Sequence, residues 1–353
     1  MIKLNIKLKL ITTIVIFLCC QAAIGQQGAS TCNTCGYGHY VNLAELSITD
    51  SSYQKAYNYY DSAFQCISSP FAKDRYNAIV CSAILGYYDN CKTGILYLLG
   101  KGLKREMISD NEAFKEFLLS ESGKWILDLK VDPTYNIILR GVYDSIIKAD
   151  QSFRLKDRLH SFELYKDSIL KIDAGNVKLM NELIRKYGWP TEDLIGIESL
   201  YTQGYELIII HQRSKRYKVY DFTEDLKIAY NNCLISANKA QFLIETINGT
   251  DSCKVLDAGV VTIVYDSLGT FKNDNLLSFQ HKTGFIKLSE NKMKEVDINR
   301  KKSGLESLDE FRRKIIFSLK DKRFLIQCYG GNSTWTYPVK ADYDFNDNIL
   351  ISY

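Results

Sequence analysis

The sequence predicts a mainly α fold: helical hairpins first, a central helical domain next, and a small α+β part at the C-terminus. Three observations predict it. Tyr53 and Tyr88, and likewise Ala56 and Cys91, stand 35 residues apart, about one helical hairpin. From Leu139 to His211, apolar residues recur at helical spacings. Beyond Asn248-Gly249-Thr250 the period changes, and residues 260–265 form a β-branched run that reads as a strand. A chain of 353 residues can bury a full core in two or three domains, and only four prolines argue against a collagen-like or disordered chain.

Residues 1–25 read as a signal peptide. Lys3, Lys7 and Lys9 form a positive start, residues 10–20 an apolar core too short for a comfortable membrane span, and Ala23-Ile24-Gly25 a small-residue cleavage site. The expectation is export to the periplasm or beyond, with no transmembrane segment after cleavage. Residues 26–39 are expected to be a flexible N-terminus. The net charge of +4 falls to about +1 once the three lysines of the signal leave. Such a balance lacks the basic footprint that nucleic-acid binding needs.

Export changes how the cysteines are read. Ten are present, and Cys19 and Cys20 leave with the signal. The even number remaining in an oxidising compartment allows disulfides. Cys32-Asn33-Thr34-Cys35 has Gly-, Ser- and Thr-rich flanks, which favours a local disulfide or free thiols over a redox motif. A zinc site would need a second such pair, and none exists. Cys233 and Cys253 are candidates for a bridge. Cys81 and Cys91 read as small core residues of helices.

Residues 40–130 read as helical hairpins. In the first unit, Ala44, Leu46 and Ile48 lead to the turn Asp50-Ser51-Ser52, followed by Ala56, Tyr59, Tyr60 and Ala63. The second unit carries Tyr76, Ala78, Leu85, Tyr88, Cys91 and Ile95. Small residues at helix crossings with aromatics beside them resemble tetratricopeptide repeats. That resemblance implies a protein- or peptide-binding concave surface; the alternative is a structural spacer. Ser109-Asp110-Asn111-Glu112 predicts a capping box that opens a further helix to Leu119, with Phe114, Phe117 and Leu118 inward, and Trp125 and Ile126 closing the stack.

Asp132-Pro133-Thr134 marks a boundary, and residues 133–320 read as a helical domain with a short β insertion. Its three central helices each carry a polar residue on the apolar stripe. Asp150 follows Leu139, Tyr143 and Ile146; Asp173 and Asn176 lie among Ile169, Met180 and Leu183; and Leu200, Gly204 and Leu207 lead to His211. An unsatisfied buried polar group costs roughly 1–3 kcal/mol, so such groups are expected to meet one another or a ligand. Each also has a bland reading. Asp150 and Arg154 suit an i,i+4 ion pair, Asp173 a helix N-cap, and His211 a satisfied core histidine.

Asp150-Gln151-x-x-Arg154, Asp173-x-x-Asn176, Gly188-Trp189-Pro190-Thr191 with Gly196, and His211 together resemble an uncharacterised bacterial domain of unknown function. That family has a Gly-Trp-Pro signature and a later His, and often follows tetratricopeptide-like helices in exported proteins. Asn299-Arg300 with Gly304-Leu305 resembles its closing segment. Two positions depart from the family: Ile210 stands where it has Gln before the His, and Glu245 where it has a later Asp. No activity or cofactor comes with the resemblance.

Near the C-terminus, Ser307 and Glu310 predict a capping box opening an amphipathic helix. Residues 321–353 read as a β-hairpin, turning at Gly330-Gly331, with a last strand. Phosphate loops, the Gly-x-Ser-x-Gly elbow and His-x-x-x-His spacing are absent, which excludes the enzyme classes they mark. Two functions remain. The first is an exported interaction or scaffold module built on the hairpins. The second is a ligand-binding or hydrolytic domain with a polar pocket at Asp150, Asp173 and His211, where Arg154, Asn176, Trp189 and Arg300 contribute to binding and the carboxylates with His211 could take a metal.

Overall fold

The computed structural model describes residues 36–156, 161–200, 203–213, 216–250, 252–253, 261–266, 281–286, 288–326, 333–338 and 350–351. The expected signal segment, Cys32 and Cys35 lie outside them. The fold is mainly α. No helix among the described residues is long and apolar enough to cross a membrane.

Four helices come first: α1 (Tyr37–Thr49), α2 (Tyr53–Phe64), α3 (Ala72–Ile84) and α4 (Tyr88–Gly100). They pack in sequence, α1 on α2, α2 on α3 and α3 on α4. Ala44, Ala56, Ala63, Cys81 and Cys91 are buried where the helices meet, with Tyr60 and Tyr76 beside them. Cys81 and Cys91 are free thiols, and burial pushes each up to about 12.

Two short helices follow, α5 (Glu106–Ser109) and α6 (Lys115–Leu119), with a 3₁₀ turn over Glu112–Phe114 between them. The capping box expected at Ser109 does not form. Asn111 caps instead, its Oδ1 accepting the Ala113 N–H at 3.0 Å while its Nδ2 donates to Tyr76 Oη and the Arg323 carbonyl. Phe114, Phe117 and Ile126 enter the core; Trp125 is exposed.

The central helices are α7 (Ile137–Arg154), α8 (Ser161–Tyr187), α9 (Glu192–Ile195), α10 (Tyr205–Ile210), α11 (Thr223–Asn231) and α12 (Ala237–Asn248). A second core joins Leu139, Tyr143, Met180, Trp189, Phe222 and Leu243. Gly188, at φ 87°, ends α8; Trp189 turns into this core, edge-on to Tyr205; and the Thr191 hydroxyl accepts the Leu194 N–H to cap α9. The Gly-Trp-Pro-Thr run is thus a helix stop, an anchor and a helix start.

Strands β1 (Val261–Asp266), β2 (His281–Ile286), β3 (Ser333–Pro338) and β4 (Leu350–Ile351) pair in the order β3-β1-β2-β4. Helices α13 (Glu290–Lys302) and α14 (Leu308–Lys320) lie between β2 and β3. The expected Ser307–Glu310 capping box is present.

Of the hairpin expected after residue 321, the turn and the second half of the first strand lie outside the described residues. Residues 321–326 form no strand, and β3 pairs in parallel with β1, a geometry that needs a long crossover rather than a tight turn. The physical reason is burial. Phe324, Leu325 and Ile326 enter the first core, where Asn77 accepts the Leu325 N–H at 2.8 Å and donates to its carbonyl at 3.3 Å. The expected turn residues lie outside the described ones. Helix α14 packs against α1, so the chain's C-terminal part returns to its first helices.

Candidate functional site

The polar residues of the central stretch do meet. Asp150 lies on the buried line of α7 and is 1% exposed. One turn on, Arg154 Nη1 stands 3.1 Å from Asp150 Oδ1, and Nη2 bonds both Asp173 oxygens at 2.8 Å. Gln151 donates to Asp150 Oδ2 at 2.5 Å, and His211 Nδ1 lies 3.0 Å from Oδ1. Burial pushes the Asp173 carboxyl up against the opposing pull of Arg154. Asn176 donates weakly, at 3.4 Å, to the Ile146 carbonyl.

Asp173 is not an N-cap. It sits inside α8, where its carboxylate faces Arg154 across the α7–α8 interface. His211 follows α10 in a 3₁₀ turn, so three segments converge. Asp150, Asp173 and His211 each offer a ligand atom within 4.8 Å of the others, a set that suits a divalent ion. The Arg154 guanidinium already supplies the positive charge there, and an ion would have to displace it.

Two other expected site residues lie apart from this set. Trp189 is 5% exposed in the second core. Arg300, fully buried, donates to the carbonyls of Glu306 (2.6 Å) and Cys253 (3.1 Å) and lies over the Phe311 ring. Its anionic partner is internal, the Glu306 carboxylate at 3.7 Å. The Cys233–Cys253 bridge is also corrected. Cys233 is in a disulfide, as is Cys66, but Cys253 is a free buried thiol, 3.6 Å from the Ser303 hydroxyl.

A second concavity lies elsewhere. A cavity of about 820 Å³ runs between α1, the start of α3, the Pro190–Asp193 turn, the α11–α12 connection and the residues joining α13 to α14. None of Asp150, Asp173 or His211 lines it. From the hairpins it takes Tyr37, Val41, Asn42 and Glu45 of α1 and Lys73 and Asp74 of α3, but no residue of α2 or α4. One face of the hairpins is therefore roofed by the rest of the chain.

Its wall is a network of buried charge. Glu45 accepts from Lys73 at 2.6 Å and from Lys314 at 2.7 Å, and Lys314 also reaches Glu306 at 2.8 Å. Burial would raise the Glu45 carboxyl, but the two lysines outweigh it and bring it down. Tyr37 donates its hydroxyl to Asp74 Oδ2 at 2.7 Å. Glu192 accepts the Ala72 N–H at 2.7 Å, and Asp193 pairs with Lys101 at 2.6 Å. Burial pushes the carboxyls of both Asp74 and Glu192 up; the charge of Glu45 adds to the rise at Asp74, and the charge of Asp74 to the rise at Glu192.

Sequence reasoning missed this cavity, although its signal was the one used on the central stretch. Glu45 follows the buried Ala44 near Ile48, and Asp74 lies in a helix whose Ala72, Tyr76, Ile79, Val80 and Ala83 are all buried. No family model, curated protein or solved structure matches this chain. Geometry alone carries the functional reading.

Proposed function

We propose that this chain is an exported binding module whose tetratricopeptide-like hairpins hold a small molecule or short peptide in the cavity between α1, α3 and the rest of the chain. The observation that carries this is the cavity itself. At about 820 Å³ it falls within the range of roughly 300–1,000 Å³ typical of ligand pockets, and it joins apolar walls to fixed polar groups. A tetratricopeptide-like pair that stood open would suit a protein partner; roofed in this way, it suits a smaller one.

The Asp150–Arg154–Asp173–His211 set serves this reading as a clasp. Its two carboxylates are buried, Arg154 and His211 are partly buried, and the set is internally hydrogen-bonded, tying α7 and α8 to the end of α10. One observation favours the second reading, hydrolysis at this set: a buried carboxylate holding an imidazole nitrogen is the arrangement that orients a general base. The clasp reading accounts for Arg154 as well, and is preferred.

A thermal-shift screen of the mature chain with short peptides and small metabolites tests the proposal. Leu234 lines the cavity but is 37% exposed, so Leu234→Trp should narrow the space without breaking the core. Ligands that stabilise the wild type should lose their effect in this variant and keep it in Ile138→Trp, a substitution on the open surface. Absence of any ligand, or ligands indifferent to Leu234→Trp, would sink the cavity as the site.

A further inference from the structure

We infer that the tip formed by the end of α7, the start of α8 and the connection from α10 to α11 is a docking surface for an anionic lipid bilayer. This surface is separate from the cavity and does not depend on it.

Ring contacts assemble the tip. Phe153 of α7 lies 5.3 Å from Tyr165 of α8, and Phe162, one turn earlier on α8, lies 5.7 Å from Tyr217 of the connection. Apolar surface is left outside: Phe162 is 43% exposed, Leu164 62% and Val219 50%. Single exposed apolar residues are ordinary on any protein. These are grouped. Phe162 and Leu164 share a turn of α8, and Val219 stands two residues beyond the Tyr217 ring that Phe162 touches. None of the three lines the 820 Å³ cavity or the smaller hollow beside Gln151 and Leu155. They offer projections, not a groove that would receive a partner's side chain.

Cations stand among these projections. Lys156 Nζ lies 4.1 Å from the centre of the Phe153 ring and 5.3 Å from that of Tyr165, and Lys166 Nζ lies 5.2 Å from that of Tyr217. Arg213 and Arg216 are exposed on the connection. The exposed acids of the same α8 turns are Glu163 and Asp167, while Lys218 and Asp221 pair at 3.4 Å and cancel. Among the described residues, four cations against two acids leave an excess of two, more than the whole mature chain carries. An anionic bilayer matches both features. Its interface takes aromatic and long apolar side chains at headgroup depth, and its lipid phosphates attract lysine and arginine, whose stems lie along apolar surface with the charge in water. An acidic protein would need pockets shaped to these projections, whereas a fluid bilayer conforms to them. No helix among the described residues is long and apolar enough to cross a membrane, so the attachment is to the bilayer's surface.

Co-sedimentation of the mature chain with vesicles in low salt tests this, comparing phosphatidylcholine alone with phosphatidylcholine containing about one-third phosphatidylglycerol. The anionic vesicles should bind the wild type at least about tenfold better than the neutral ones, and added salt should release it. Lys166→Glu with Arg216→Glu should weaken that binding at least about tenfold, and so should Phe162→Ser with Leu164→Ser. Ile138→Ser, at an 84% exposed position at the other end of α7, should leave it unchanged. Thermal melts check each fold. In a separate variant, Leu164→Trp, anionic vesicles should shift the tryptophan emission to shorter wavelength relative to the wild type. Failure to bind either vesicle, or equal binding to both, overturns the inference. So does an equal loss in Ile138→Ser. Binding lost in the charge variant but kept in the Phe162–Leu164 variant, with no emission shift, overturns the bilayer and leaves an acidic macromolecule as the occupant. Should the double variants fail to fold, Leu164→Trp decides, and an unshifted emission overturns the inference.

Discussion

Arg154 decides what Asp150 and Asp173 are. With the guanidinium present, two buried carboxylates share one cation; without it, both are buried charges short of a partner. Arg154→Met should therefore cost about 3–5 kcal/mol in urea unfolding, and Arg154→Lys should recover little, since an ammonium cannot bond both Asp173 oxygens in parallel. Metal analysis of purified wild type and His211→Ala makes the complementary check. The clasp predicts no stoichiometric divalent ion in either; one equivalent in the wild type that the variant loses would restore the metal centre. Glu306 contributes to the acid limb of stability. Burial would raise its carboxyl, but Lys314 and Arg300 outweigh burial and bring it from 4.5 to about 2. Its folded value lies below its unfolded one, so the unfolded chain binds more protons between them. The stabilisation is complete above 4.5 and is lost as pH falls toward 2. Asp74 and Glu192 run the other way: their raised carboxyls favour the fold most at low pH, and that contribution fades as pH rises through their folded values. Urea midpoints followed from neutral pH to acid should show Glu306→Gln less stable at neutrality and flatter below 4.5.

At the level of elements, short-range signals were legible and long-range ones were not. The Ser307–Glu310 box could be read because all its partners lie within one turn. The Ser109 box failed because Asn111 answers to Tyr76 and to the Arg323 carbonyl, and no local pattern announces those partners. Gly204 shows how an element is seated. A Cβ there would lie 2.3 Å from Ile147 Cδ1, so α10 approaches α7 at a point where only hydrogen fits. Gly204→Ala should cost about 1–3 kcal/mol by overpacking. Because α10 leads directly into His211, the same variant should loosen the His211–Asp150 contact, seen as a changed imidazole chemical shift. An unchanged melting temperature would show that Ile147 simply moves aside.

Across the whole molecule, the C-terminal part closes what the N-terminal hairpins begin. Lys314 of α14 reaches Asn42 and Glu45 of α1, and residues 324–326 fill the first core under Asn77. Asn77→Leu should leave the buried Leu325 N–H and carbonyl without partners, costing about 1–3 kcal/mol, and should speed proteolysis after residue 322 ahead of global unfolding. Cleavage no faster than in the wild type would mean that the apolar contacts of Phe324 and Ile326 alone hold the segment.

The sequence by itself determined the periodic features: a mainly α fold, helix starts whose partners are all local, such as Ser307, and the fact that polar residues stand on apolar stripes. These are properties of neighbours along the chain, where spacing of three or four residues is also proximity in space. Only the tertiary structure decided which of those polar residues are satisfied. Asp150, Asp173 and His211 found one another and Arg154, whereas Asp74 faces a cavity whose walls come from five separate stretches of chain. A void is the space left when distant segments meet, and no run of residues encodes it locally.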